Sequence, residues 1–213
     1  AILISGNSSP KIIGCTIEGN AAHRGGGIAV TSNSSPTIES CDFTSNMGSF
    51  GGGAIYVEGS TLTLEGGTIS DNQGLLGGGI KMVESGGALI GITIEQNRAC
   101  RNCPCPFNID IAAGGGLYLD NSEPSFEEVT ISENSAEVFN HTAGGTGNPD
   151  LPYEEHHPTN TGTDYASFGG GIYTTETDPN QINFTGIEID DNLATIDSNI
   201  CYGEALGQPA TLE

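Results

Sequence analysis

The 213-residue chain carries 27 acidic against five basic residues, a formal charge of −22. That balance excludes nucleic acid and anionic membrane surfaces as partners, because both need a basic face. Its 33 glycines follow no Gly-X-Y period, which excludes collagen, and no stretch reaches the roughly 18 apolar residues of a membrane span.

The chain has a repeat instead of a helical period. Anchored on an asparagine, it recurs at Asn20, Asn46, Asn72, Asn97, Asn134 and Asn192, at first every 26, 26 and 25 residues and later at intervals lengthened by insertions. Ala1 to Gly6 reads as the second strand of a coil whose first half is missing, and no signal peptide is visible. Coils one and two both open Asn-Ser-Ser-Pro, from Asn7 and from Asn33, and Pro10 and Pro36 mark the turn into the next strand. Coil three opens at Gly59-Ser60, coil four at Ser85-Gly86-Gly87, coil five at Asn121 and coil six at Asp178-Pro179.

Within each coil the residues fall into columns. One holds Ile12, Ile38, Leu64, Leu89, Phe126 and Phe184; another holds Ile17, Phe43, Ile69, Ile94, Ile131 and Ile189. A glycine run, suited to positive φ at a corner, precedes a further strand with pairs such as Ile55 and Val57 on one face. Such columns suit parallel coils stacked about 4.8 Å apart. The fold expected is therefore all-β: a single right-handed parallel β-helix of about six coils of ~26 residues, one domain over 1–213 with a C-terminal tail at 203–213. The recurrent asparagines are expected to form an inward ladder at a corner, hydrogen-bonded from coil to coil.

Two insertions leave from one corner, about 100–113 and 137–168, which should set both loops side by side on one flank. The longer loop carries His141, Glu154, Glu155, His156 and His157, the last four being weak candidates for a metal site. Six cysteines point to an oxidising compartment. Cys15 and Cys41 share a column in adjacent coils, a separation compatible with a disulfide; the alternative is a pair of stacked buried thiols. Cys100, Cys103 and Cys105 form C-x2-C-x-C, which favours a local bridge; zinc would need a fourth ligand such as Cys201 or a loop histidine. The pairing among these four stays open. Glycosylation sequons stand at Asn7, Asn33, Asn140 and Asn183.

The paired signature Phe-x-x-Asn (FTSN, 43–46) and Gly-Gly-Ala-Ile (GGAI, 52–55) resembles the repeat of chlamydial polymorphic outer membrane proteins. Only coil two carries both motifs in full; elsewhere Ile replaces Phe and GGGI or GGGL replaces GGAI. The resemblance implies a surface-exposed right-handed β-helix acting in adhesion or as an envelope structure. It also normally implies an autotransporter barrel, and nothing here reads as one.

The function expected is a non-catalytic extracellular structural β-helix, a filament or stalk segment whose copies assemble end to end. Neither end shows a capping helix or a polar cap, so open parallel edges invite pairing. A surface adhesin binding a ligand or glycan through the flank loops is the alternative. A polysaccharide lyase or hydrolase comes third: Asp190-Asp191 is the only adjacent aspartate pair, its side chains should face opposite ways, and six tyrosines without tryptophan offer thin sugar-stacking surfaces. No cofactor is implied, with calcium the ion that so acidic a surface would take up.

Overall fold

The structure, a computed structural model, describes residues 1–101, 111–138, 166–175, 182, 186–194, 200–204 and 208–210. Each of coils one to five contributes one short strand to each of four sheets, where the sequence reading distinguished two strands per coil. In coil two these are Thr37–Glu39, Asp42–Thr44, Met47–Gly51 and Ile55–Glu58. Stacked in register, they build four sheets, here I to IV in the order the chain visits them. Sheets I and III have five strands each, sheet II six and sheet IV eight.

Residues in the left-handed backbone region divide the strands. In coil two these corner residues are Asn33, Ser40, Ser45 and Gly52, with φ of 55°, 49°, 55° and 63°. A single αL residue turns the chain sharply without the length of a loop, which keeps the strands to two to five residues. The glycine run before sheet IV answers a second demand as well. A Cβ at Gly52 would sit 2.2 Å from the Ile55 carbonyl oxygen, and one at Gly53 would sit 2.0 Å from the Gly78 oxygen of the next coil. Only glycine fits so close an approach of backbone to backbone.

The registers reproduce the sequence columns. Ile12 stacks on Ile38, Leu64 on Leu89 and Leu89 on Phe126 in sheet I. Ile28, Ile55, Ile80, Leu117 and Ile172 stack in sheet IV. Together with Phe43, Ile69, Ile94 and Ile131 these side chains form one continuous apolar core along the solenoid axis. Parallel pairing holds from Ile2–Ile4 to Ile200–Glu204 in sheet IV.

Of the expected tail 203–213, residues 203–204 and 208–210 are described. Residues 203 and 204 complete the strand Ile200–Glu204, on which Gln208–Ala210 folds back antiparallel. An unpaired parallel edge is a ready template, and here a reversed strand carrying Pro209 covers it, in the edge position that proline tolerates. At the other end of the stack the first coil is open: Ile2 is 42% exposed, whereas its in-register partner Ile28 is 0% exposed.

Candidate functional site

Two polar ladders run through the interior. In the first, the Oδ1 of Asn46, Asn72, Asn97, Asn134 and Asn192 each accepts from the backbone N–H and the Nδ2 of the asparagine one coil earlier, at 2.9–3.1 Å. Each Nδ2 from Asn72 to Asn192 also donates to the carbonyl two residues before it and to one in the previous coil, as Asn97 does to Glu95 and Ile69. All five acceptor asparagines are buried, and this pattern leaves none of their amide groups orphaned, which burial requires. The second ladder escaped the sequence reading. The backbone N–H groups of Ser8, Ser34, Ser60 and Ser85 donate to the hydroxyls of Ser34, Ser60, Ser85 and Ser122 at 3.0–3.3 Å. Its signal was a serine in the opening of each coil from one to five: Ser8, Ser34, Ser60, Ser85 and Ser122.

On the flank between sheets III and IV the chain departs from solvated-outside logic. Outward positions of a strand are normally wet. Yet the outward column of sheet IV, with Tyr56, Lys81, Tyr118 and Tyr173 in register, is buried, with Lys81 only 5% exposed. Leu75, Leu76 and Ala113 cover Tyr118 and Tyr173 as a small second core, and the two tyrosine rings stack at 5.2 Å.

Phe50, from sheet III, is the hub of this flank. Lys81 Nζ lies 4.9 Å from its ring centre and 5.1 Å from that of Tyr118. The Arg24 guanidinium lies 5.5 Å from the Phe50 centre and 5.2 Å from that of Tyr56, while the His23 ring is 5.3 Å away. Arg24 pairs with Glu58 at 2.9 Å. Burial pulls the Lys81 ammonium down to about 8, with Asp120 opposing that fall and Arg24 adding to it. Burial likewise pushes the Tyr56 hydroxyl up to about 12 and raises that of Tyr118. A perturbed amine among aromatic rings marks a candidate functional site. Sequence reasoning did not gather these residues, which come from two sheets and several coils.

The loop bases reach the same flank. Arg98–Arg101 pairs with Ser135–Val138 where the two insertions leave, and Ile111–Ala113 pairs with Ala166–Phe168 where they return. Glu154, Glu155, His156, His157, Cys103, Cys105, Asn140 and Asn183 lie outside the described residues. Among the described residues no group of three or more His, Cys, Asp or Glu is placed to hold a metal. Asn7 and Asn33 are exposed αL corner residues at equivalent points of successive coils. Asp191 is a corner residue in line with Ser45 and Asp71, and its N–H donates to Asp190.

The expected Cys15–Cys41 bridge is not formed. Both are free thiols, Cys15 exposed and Cys41 buried, and the Cys41 sulfur accepts from the Cys15 N–H at 3.3 Å. In-register parallel stacking holds equivalent Cβ atoms at about the 4.8 Å strand spacing, beyond the roughly 3.5–4.5 Å that a disulfide needs. Burial raises the Cys41 thiol above its ordinary value. Cys100 is buried and disulfide-bonded, its partner not being among the described side chains. Cys201 sits in the strand Ile200–Glu204. Among the described residues no helix is long and apolar enough to cross a membrane.

Four stacked parallel sheets around one apolar core, stitched by inward ladders, define a right-handed parallel β-helix. The chain belongs to the family described as a right-handed beta helix region, whose model matches residues 1–196. No curated protein and no solved structure matches the chain.

Proposed function

We propose that the chain is a non-catalytic extracellular β-helix, one segment of a longer surface rod of the kind the chlamydial-type repeat suggests. The polarity of the asparagine ladder carries this reading. Every Oδ1 faces the preceding coil and takes its donors from there, and the ladder opens at Asn20, whose Oδ1 accepts from the Ala1 ammonium at 3.1 Å. The first coil thus presents an acceptor, exposed Ile2 and unpaired parallel edges to a further coil of the same kind. The reversed strand Gln208–Ala210 covers one sheet edge at the opposite end of the described stack.

A copy of residues 7–26 placed ahead of Ala1 tests the reading by completing the coil. It should raise the thermal midpoint and suppress any concentration-dependent association measured by light scattering, since each added solenoid repeat is stabilised by its neighbour. An unchanged midpoint would count against the rod. A second reading, a ligand-binding adhesin face, is favoured by the stacked loop bases beside the Phe50 cluster. Replacing residues 139–165 by a short turn should then abolish ligand binding and leave assembly intact.

A further inference from the structure

Four lysine or arginine side chains are described in this acidic chain, and three of them pair with a glutamate of the next coil: Lys11 with Glu39, Arg24 with Glu58 and Arg98 with Glu137. Lys81 has no such partner among the described residues. Its ammonium is held by the faces of Phe50 and Tyr118, which attract the charge but accept no ordinary hydrogen bond. Holding a cation in so buried a side chain, 5% exposed, with no carboxylate in contact among the described residues is costly. A few ångströms away, Arg24 shares the Phe50 ring and already holds one carboxylate, that of Glu58. Two cations therefore meet at one ring with one contacting carboxylate between them.

We propose that the Phe50-centred flank binds a carboxylate-bearing ligand whose acid group supplies the contacting carboxylate that Lys81 does not have among the described residues. This site is independent of the rod and does not need it. The ligand enters from the side of Arg24, whose side chain is 43% exposed, and passes the half-buried Phe50 ring to reach Nζ beneath. Charge complementarity acts over short range here, since a net charge of −22 repels anions from the rest of the surface.

Titration calorimetry of the whole chain at pH 7 against glucuronate, propionate and glucose tests the site. One or both acids should bind, with a Kd on the order of 1 mM, and glucose should not. Glucuronate alone binding assigns an acidic sugar; propionate binding as well as glucuronate, or alone, assigns a simple organic acid. Lys81→Met and Arg24→Gln should each weaken the acid roughly tenfold, the scale of one charge-assisted hydrogen bond. Arg24 lies at the surface, so its variant remains informative should the Lys81 variant not fold. Affinity should also fall as pH rises past 8, where Lys81, faced by Arg24, Glu58, Asp120, Tyr56 and Tyr118, loses its proton. Silence from both acids, equal binding of glucose and glucuronate, or unchanged affinity in both variants overturns the proposal.

Discussion

Lys81→Met should make the protein more stable at neutral pH, although it removes a charged side chain from a surface strand. An ammonium held at about 8 against an ordinary 10.5 costs the folded state about 3 kcal/mol, at about 1.36 kcal/mol per pH unit. The faces of Phe50 and Tyr118 favour the charged form and trim this to about 2 kcal/mol. Methionine keeps the stem that fills the space under Gly51, where a Cβ would lie 2.6 Å from the Lys81 Cδ, and it carries no charge. The sign with pH follows from linkage. Because the folded-state value is depressed, the cost is fully present below about 8. It is relieved as pH climbs towards 10.5, where the unfolded chain also loses the proton. The advantage of the variant should thus be about 2 kcal/mol at pH 7, about 1.3 kcal/mol at pH 9.5, and close to nothing above about pH 11. Urea unfolding followed by circular dichroism at these pH values reads the gap directly. Tyr56 and Tyr118 are common to both proteins, and their own titration cancels to first order. A variant less stable at pH 7, or a gap that does not narrow with pH, would refute the reasoning.

Asn97→Ala should cost about 2–4 kcal/mol, because it orphans the buried Asn72 N–H and removes partners from Asn72 Nδ2 and Asn134 Oδ1; Asn20→Ala in the first coil should cost under about 1 kcal/mol, and comparing the two by chemical unfolding separates ladder from propensity. Gly53→Ala should lower the urea midpoint far more than Gly59→Ala, since the first Cβ meets the Gly78 oxygen at 2.0 Å while the second meets nothing within 4 Å despite a φ of 53°. The Gly59 change should cost only the ~1 kcal/mol of a left-handed residue. Cys15 should react with a thiol reagent in the native protein and Cys41 only on unfolding, as burial and the raised Cys41 thiol require; mild oxidation should leave both without a mutual bridge, checked by mass spectrometry of the peptides.

The core was legible because stacking repeats it. Ile38, Leu64 and Leu89 recur at one interval, and the structure sets them one above another. The corners inside each coil were less so. Ser40 and Ser45 carry a turn signal, but their counterparts Glu128, Gln96 and Glu133 carry almost none, and they hold positive φ because neighbouring coils fix the same bend. That is why two apparent strands became four. The Cys15–Cys41 bridge was misread for a related reason: a shared column guarantees proximity at the strand spacing, and the same parallelism holds the Cβ atoms too far apart.

The flank cluster was illegible for the opposite reason. Repeat analysis finds what coils have in common, and the cluster is made of what they do not. Phe50 and Arg24 have no like residue above or below them. Lys81 interrupts a column otherwise continued by Tyr56, Tyr118 and Tyr173. Three of the six tyrosines, dismissed as thin when counted along the chain, meet here because alternate residues of one sheet face share a column. A solenoid that needs only shape would place a fourth aromatic or an aliphatic side chain at position 81, where the neighbouring rings already supply the packing. Keeping a cation there, at a cost of about 2 kcal/mol at neutral pH and beside the bases of both insertions, breaks the local rule with no structural return. Sites of that kind are where function concentrates. The Lys81 variant therefore discriminates: gain of stability with loss of acid binding marks a retained functional charge, whereas loss of both would make Lys81 a structural part of the aromatic stack.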